Sequence, residues 1–175
     1  MPNGAQQVLK IVVMGLPNSG KSSFIQTISD EVHRQQQAFS SWFFGRLAVD
    51  EYLTLQFVEP PSGKVADFMW MRELVENMRA AGYIILVDST RPQTFGKFVS
   101  ILYTVRGFDE QMPIVVATNK QDQPGAWGHE DIRIGLRIND DIPVLPCVAG
   151  NRALVEEVVV QLLYQMMGQP GDAPQ

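Results

Sequence analysis

Apolar residues follow two rhythms along this chain: short continuous runs, and longer stretches with an apolar residue at every third or fourth position. Runs of about four to eight read as strands buried on both faces, and the i, i+3, i+4 rhythm reads as helix. Residues 8–14 form the first run. A helix follows from about residue 20, with Phe24, Ile25, Ile28 and Val32 on one side. Residues 47–50 and 53–58 read as strands joined by a tight turn at Asp50 and Glu51, the one antiparallel hairpin. Phe68, Met71, Leu74, Val75 and Met78 place a helix over 67–80, and residues 83–87 are a short buried strand closing at Asp88. Phe95, Phe98, Val99, Leu102 and Val105 mark another helix, 113–117 a strand, 129–136 a shorter helix and 142–147 a last strand. Val155, Val158, Val159, Leu162, Leu163 and Met166 give the cleanest amphipathic helix. The alternation predicts an α/β fold: a six-stranded, mostly parallel sheet with one antiparallel hairpin strand and five flanking helices.

Between the first strand and the first helix, residues 15–22 read GLPNSGKS. This is the pattern of a phosphate-binding loop, in the strand-to-helix setting the chemistry needs. Gly15 and Gly20 let backbone amides curl around an anion, and the helix start adds unpaired amides and a positive dipole end. Asn18, Ser19 and Ser23 are further nucleotide-binding candidates. Lys21 would bridge the β- and γ-phosphates and is the one candidate catalytic cation. Ser22 would offer its hydroxyl to Mg²⁺, which keeps water and phosphate oxygens as its other ligands. The motif specifies phosphate and not the base.

A second motif follows the strand at 114–117: Asn119, Lys120 and Asp122, spaced N-K-x-D. A carboxylate at Asp122 can accept two hydrogen bonds from guanine, from the ring N–H and the exocyclic amine. Adenine lacks that donor pair and would leave the carboxylate unpaired, at a cost of about 1–3 kcal/mol or more. Lys120 would lie over the base plane, and Asn119 would tie this loop to the phosphate loop. A bland alternative makes Asp122 the start of the next segment. Both motifs fall at the C-terminal ends of parallel strands, where ligands of such sheets gather.

With these motifs in place the sequence over 8–167 resembles a Ras-superfamily small GTPase, a P-loop NTPase small G domain. Residues 119–126, NKQDQPGA, and 87–89, VDS, resemble Arf-type members. Residues 68–70, FMW, and 144–149, VLPCVA, resemble prokaryotic small GTPases related to MglA and to those encoded beside roadblock-domain proteins. The resemblance implies that Cys147, Val148 and Ala149 present a backbone amide to the guanine oxygen, with Ala149 in the donor place. It also implies a Mg²⁺-dependent molecular switch for GTP and GDP, with a regulator or effector, a roadblock-domain protein among the candidates.

The chain departs from that family where the switch loops belong. In one register Glu59 takes the Mg²⁺-side aspartate position, with Ser62 and Gly63 at the glycine and catalytic glutamine positions. One residue later, Pro60 takes the acidic place and Lys64 the glutamine place. Neither register supplies a glutamine to orient water. Glu59 is either a Mg²⁺ carboxylate or a strand-end carboxylate in solvent. No threonine lies between Asp30 and Leu47; Ser40 and Ser41 are the hydroxyls there. Phe39, Trp42, Phe43 and Phe44 are either core under the hairpin or a partner-binding patch, as are Phe68, Met69, Trp70 and Met71. Asp88 reads as a loop cap.

At 175 residues the chain fits one domain: a flexible 1–7, the G domain over 8–167 and a flexible tail over 168–175. Its net charge of −5 disfavours nucleic acid. A single cysteine excludes an internal disulfide and fits a reducing, cytoplasmic setting. No signal, membrane span or lipidation motif is evident, so no stable membrane anchor is expected. Three function classes stand: a slow GTPase switch, a pseudo-GTPase that binds GTP or GDP without useful hydrolysis, and an ATPase or kinase.

Overall fold

The computed structural model describes residues 6–38, 40–61 and 68–168. Phe39, Ser62, Gly63, Lys64, the side chain of Phe68 and most of both termini lie outside that part.

The chain runs β1 (Gln7–Gly15), α1 (Lys21–Ile28), β2 (Glu31–Gln37), β3 (Ser40–Ala48), β4 (Leu53–Glu59), α2 (Phe68–Met78), β5 (Gly82–Asp88), α3 (Phe95–Phe108), β6 (Ile114–Asn119), α4 (His129–Gly135), β7 (Val144–Pro146) and α5 (Arg152–Met166). The sheet has seven strands, not the expected six, in the order β2-β3-β4-β1-β5-β6-β7. From β4 to β7 neighbours are parallel, while β2 pairs antiparallel with β3 and β3 with β4. The added strand is β2. Val32, expected on the first helix, lies in it opposite Gly45. The helix stops because the chain turns extended at Ser29, and Asp30 is drawn into the hairpin. The Asp30 amide donates to the Arg46 carbonyl and its carboxylate accepts from the Ala48 amide. The turn between β3 and β4 falls where expected, with Asp50 Oδ1 accepting from the amides of Tyr52 and Leu53.

Strand alternation sorts the core into two faces. Ile11 and Val13 of β1, with Ile84 and Leu86 of β5, pack against α1 and α5 through Phe24, Ile25, Val155, Val158 and Leu162. Val12 and Met14, with Tyr83, Ile85 and Val87, pack against α2 and α3 through Met71, Leu74, Phe98 and Leu102. The chain leaves β1 toward one sheet edge and β5 toward the other. The C-terminal ends of these two neighbours therefore form the crevice where open α/β sheets bind ligands.

The aromatic segment divides between the two readings. Phe43 is buried in the α1-side core, under the Arg34 guanidinium at 4.8 Å from its ring centre. Trp42 and Phe44 lie on the other hairpin face, half-buried, with Phe44 stacked on His33 at 4.9 Å. On α2, Met71 is buried core, Trp70 is half-buried and Met69 is 68% exposed. Phe43 and Met71 therefore face inward and belong to no docking surface. Among the described residues no helix is long and apolar enough to cross a membrane.

Candidate nucleotide-binding site

Gly15 closes β1 opposite Leu86 of β5 with φ of +152°, and a Cβ there would lie 2.7 Å from the Leu86 carbonyl oxygen. Gly20 enters α1 in the left-handed region, φ +101°. A Cβ on Gly20 would meet Asn119 Nδ2 at 2.1 Å, so glycine is what admits the Asn119 side chain to the loop. Asn18 is also left-handed, φ 65°. These turns bend residues 15–20 into a cradle at the head of α1.

Lys21 is buried within this cradle, its Nζ donating to the Leu16 carbonyl at 2.9 Å. Burial pushes its pKa below the ordinary 10.5, and the Glu59 carboxylate pulls it part of the way back. Ser22 Oγ donates to Glu59 Oε2 at 2.6 Å. The two residues expected to serve a metal are thus brought together, from the head of α1 and the end of β4. A hydroxyl and a carboxylate at a phosphate loop are the hard oxygen donors that suit Mg²⁺, which takes few protein ligands. Among the described residues no cluster of three or more His, Cys, Asp or Glu could hold a metal alone.

Asn119 joins the phosphate loop to the base-side loops. Its Nδ2 donates to the Ser19 carbonyl at 2.7 Å, and its Oδ1 accepts from the Ala149 amide at 2.8 Å. The Ala149 carbonyl accepts from Thr27 Oγ1 of α1 at 2.7 Å. Ala149 is therefore held on both sides, and the amide assigned to a ligand oxygen is committed to Asn119. Buried Cys147 lies two residues before Ala149, its amide donating to the Thr118 carbonyl. Burial pushes its thiol up to about 12, which leaves it inert.

Lys120, left-handed at φ 67°, donates from Nζ to Asp88 Oδ2 at 2.6 Å. Asp122 is exposed and makes no side-chain bond among the described residues, so its carboxylate is free to receive a ligand. Sequence reasoning missed two supports of this loop. Gln121 Nε2 donates to Ser89 Oγ at 2.9 Å and to the Trp127 carbonyl at 2.8 Å, and the Trp127 amide donates to the Ser89 carbonyl. The one available signal was the polar pair Asp88-Ser89 closing a buried strand beside another strand that closes in the base motif.

No model of a known protein family matches this sequence, and no curated protein matches it. Its fold is nevertheless that of the Ras-like small G domains. The G domain of the T. maritima FeoB iron transporter superposes with a TM-score of 0.70 at 16% identity, covering 91% of this chain and 99% of that one. The Arl6 BBS3 small GTPase from Trypanosoma brucei, solved with the nucleotide analogue GppNp, superposes with a TM-score of 0.71 at 17% identity, covering 92% and 98%.

Proposed function

We propose that this chain binds a guanine nucleotide with Mg²⁺ and works as a molecular switch that hydrolyses GTP slowly. One observation carries the reading: Asn119 ties the Ser19 carbonyl to the Ala149 amide, so the phosphate cradle and the base-side loops form one site. The cradle amides and Lys21 take the phosphates, and Asp122 takes the ring N–H and exocyclic amine of guanine. With Ala149 engaged, the guanine oxygen goes to the Val148 amide, which makes no bond among the described residues. Ser22 and Glu59 would hold Mg²⁺, which would supply charge neutralisation at the phosphates. Lys21 and the cradle amides hold the charge that develops as water attacks the γ-phosphate.

A second reading, nucleotide binding without useful hydrolysis, draws support from the hairpin. Residues 31–48 contain no threonine and are rolled almost wholly into β2 and β3. Neither sequence register of the following segment offers a glutamine to orient water. Of the two segments expected to meet a protein regulator, both readings leave half-buried Trp42 and Phe44 and exposed Met69 available to it. Denaturing the purified chain and resolving the released nucleotide by chromatography tests the shared claim: GDP or GTP is expected, and adenine nucleotide overturns it. Single-turnover incubation with radiolabelled GTP separates the readings; no phosphate released over hours leaves the binding module alone.

A further inference from the structure

Asp88 is a carboxylate that the proposed site does not use. It is the last residue of β5 and pairs in register with Asn119, so the sheet itself sets it beside the base motif. Its side chain is 7% exposed and its Lys120 partner 26%. Oδ2 accepts from Lys120 Nζ at 2.6 Å, while Oδ1 accepts from the Thr90 amide at 3.0 Å and from Thr90 Oγ1 at 2.6 Å. Burial alone would raise this carboxyl; the bonds from Lys120 and Thr90 outweigh it and hold the group below its ordinary range. The next residue continues the support, since the Ser89 amide donates to the Asn119 carbonyl and Ser89 Oγ receives Gln121.

From this arrangement we infer that Asp88 is a positioning residue for nucleotide binding: it anchors the Lys120 ammonium so that the lysine stem is laid out in advance as a platform for the base. The inference rests on the proposed guanine-nucleotide site. A lysine loses side-chain freedom when fixed, and a site that orders it before the ligand arrives avoids that cost at binding. Both oxygens of Asp88 are engaged, and Thr90 fixes the carboxylate plane, so the anchor point does not wander. The anchor also neutralises Lys120, which keeps its charge from being drawn to the phosphates and leaves the apolar stem to meet the ring. A solvent-exposed ion pair would contribute little of this, but here the carboxylate is nearly closed off from water.

A double-mutant cycle on the full chain tests the inference, with affinity for a fluorescent GDP analogue in Mg²⁺ buffer as the readout. Asp88→Asn and Lys120→Met are each expected to weaken binding about tenfold. The double variant is expected to match the single ones, because Asp88 acts through Lys120. Equal affinity of Asp88→Asn and the unaltered chain overturns the inference, and so does a double variant whose loss is the product of the two. A role confined to capping the loop would give that product. Should Asp88→Asn fail to fold, Asp88→Ser, which removes the charge but keeps an oxygen for Thr90, closes the same cycle with the same criteria. If the unaltered chain retains no guanine nucleotide, the proposed function fails and this inference with it. If it binds and only the cycle fails, Asp88 alone loses its role.

Discussion

Among the described residues, Lys21 holds a cation in a nearly closed space with one neutral carbonyl as its bonded partner. Its lowered pKa means that the folded chain releases this proton more readily than the unfolded chain does. Lys21 therefore costs stability at neutral pH. The cost is relieved as pH rises through the lowered pKa toward 10.5. A bound polyphosphate reverses the sign by supplying the missing counter-charge. Lys21→Met should thus weaken GDP binding by about 100-fold in titration calorimetry. The nucleotide-free variant should unfold at a temperature no lower than the unaltered chain, and the gap between them should narrow at alkaline pH in scanning calorimetry. A large stability loss in the nucleotide-free variant would mean that Lys21 serves the fold. At this scale the site was largely legible. Gly15, Gly20, Lys21, Ser22 and Asn119 stand in two contiguous motifs whose chemistry is local. Asp88 and Gln121 were not, because their partners are fixed by the β5–β6 register, which no short stretch of sequence encodes.

Among the elements, the β2–β3 hairpin is where sequence and structure part. Its first strand, EVHRQQQ, is exposed at every position and carries one aliphatic residue, so it has no alternation to read. An edge strand covered on neither face escapes pattern reasoning for that reason. Val32, four residues beyond Ile28, mimicked one more helical turn. The hairpin docks on α1 at Gly45, where a Cβ would lie 2.1 Å from Ser29 Oγ and 2.5 Å from Ile25 Cγ2. Gly45→Ala should accordingly cost about 1–3 kcal/mol in urea unfolding, through overpacking. An unchanged midpoint would show that the hairpin rides free of α1. The longer amphipathic helices, α3 and α5, and the buried strands β5 and β6 lay where their spacing placed them, because both faces of the sheet are covered and each run is apolar throughout.

Among the described residues two apolar layers close over one sheet, and the candidate site sits at the crevice where the strand order changes direction. At the centre of one layer Tyr83 is fully buried, and its hydroxyl finds no hydrogen-bond partner among the described residues. Burial pushes that phenol up to about 12. Tyr83→Phe removes an unpaired polar atom and should raise stability by about 1 kcal/mol in chemical denaturation. A loss of similar size would mean that the hydroxyl is satisfied in solution by a buried water. The central claim, that Asp122 reads guanine at the far end of a molecule whose phosphates lie against Lys21, is tested most directly by exchanging that carboxylate for an amide. Xanthine carries a carbonyl where guanine carries its exocyclic amine. Asp122→Asn should therefore lose GDP affinity by about 100-fold and gain affinity for xanthosine diphosphate in side-by-side titrations. GDP binding that survives the exchange unchanged would contradict the account.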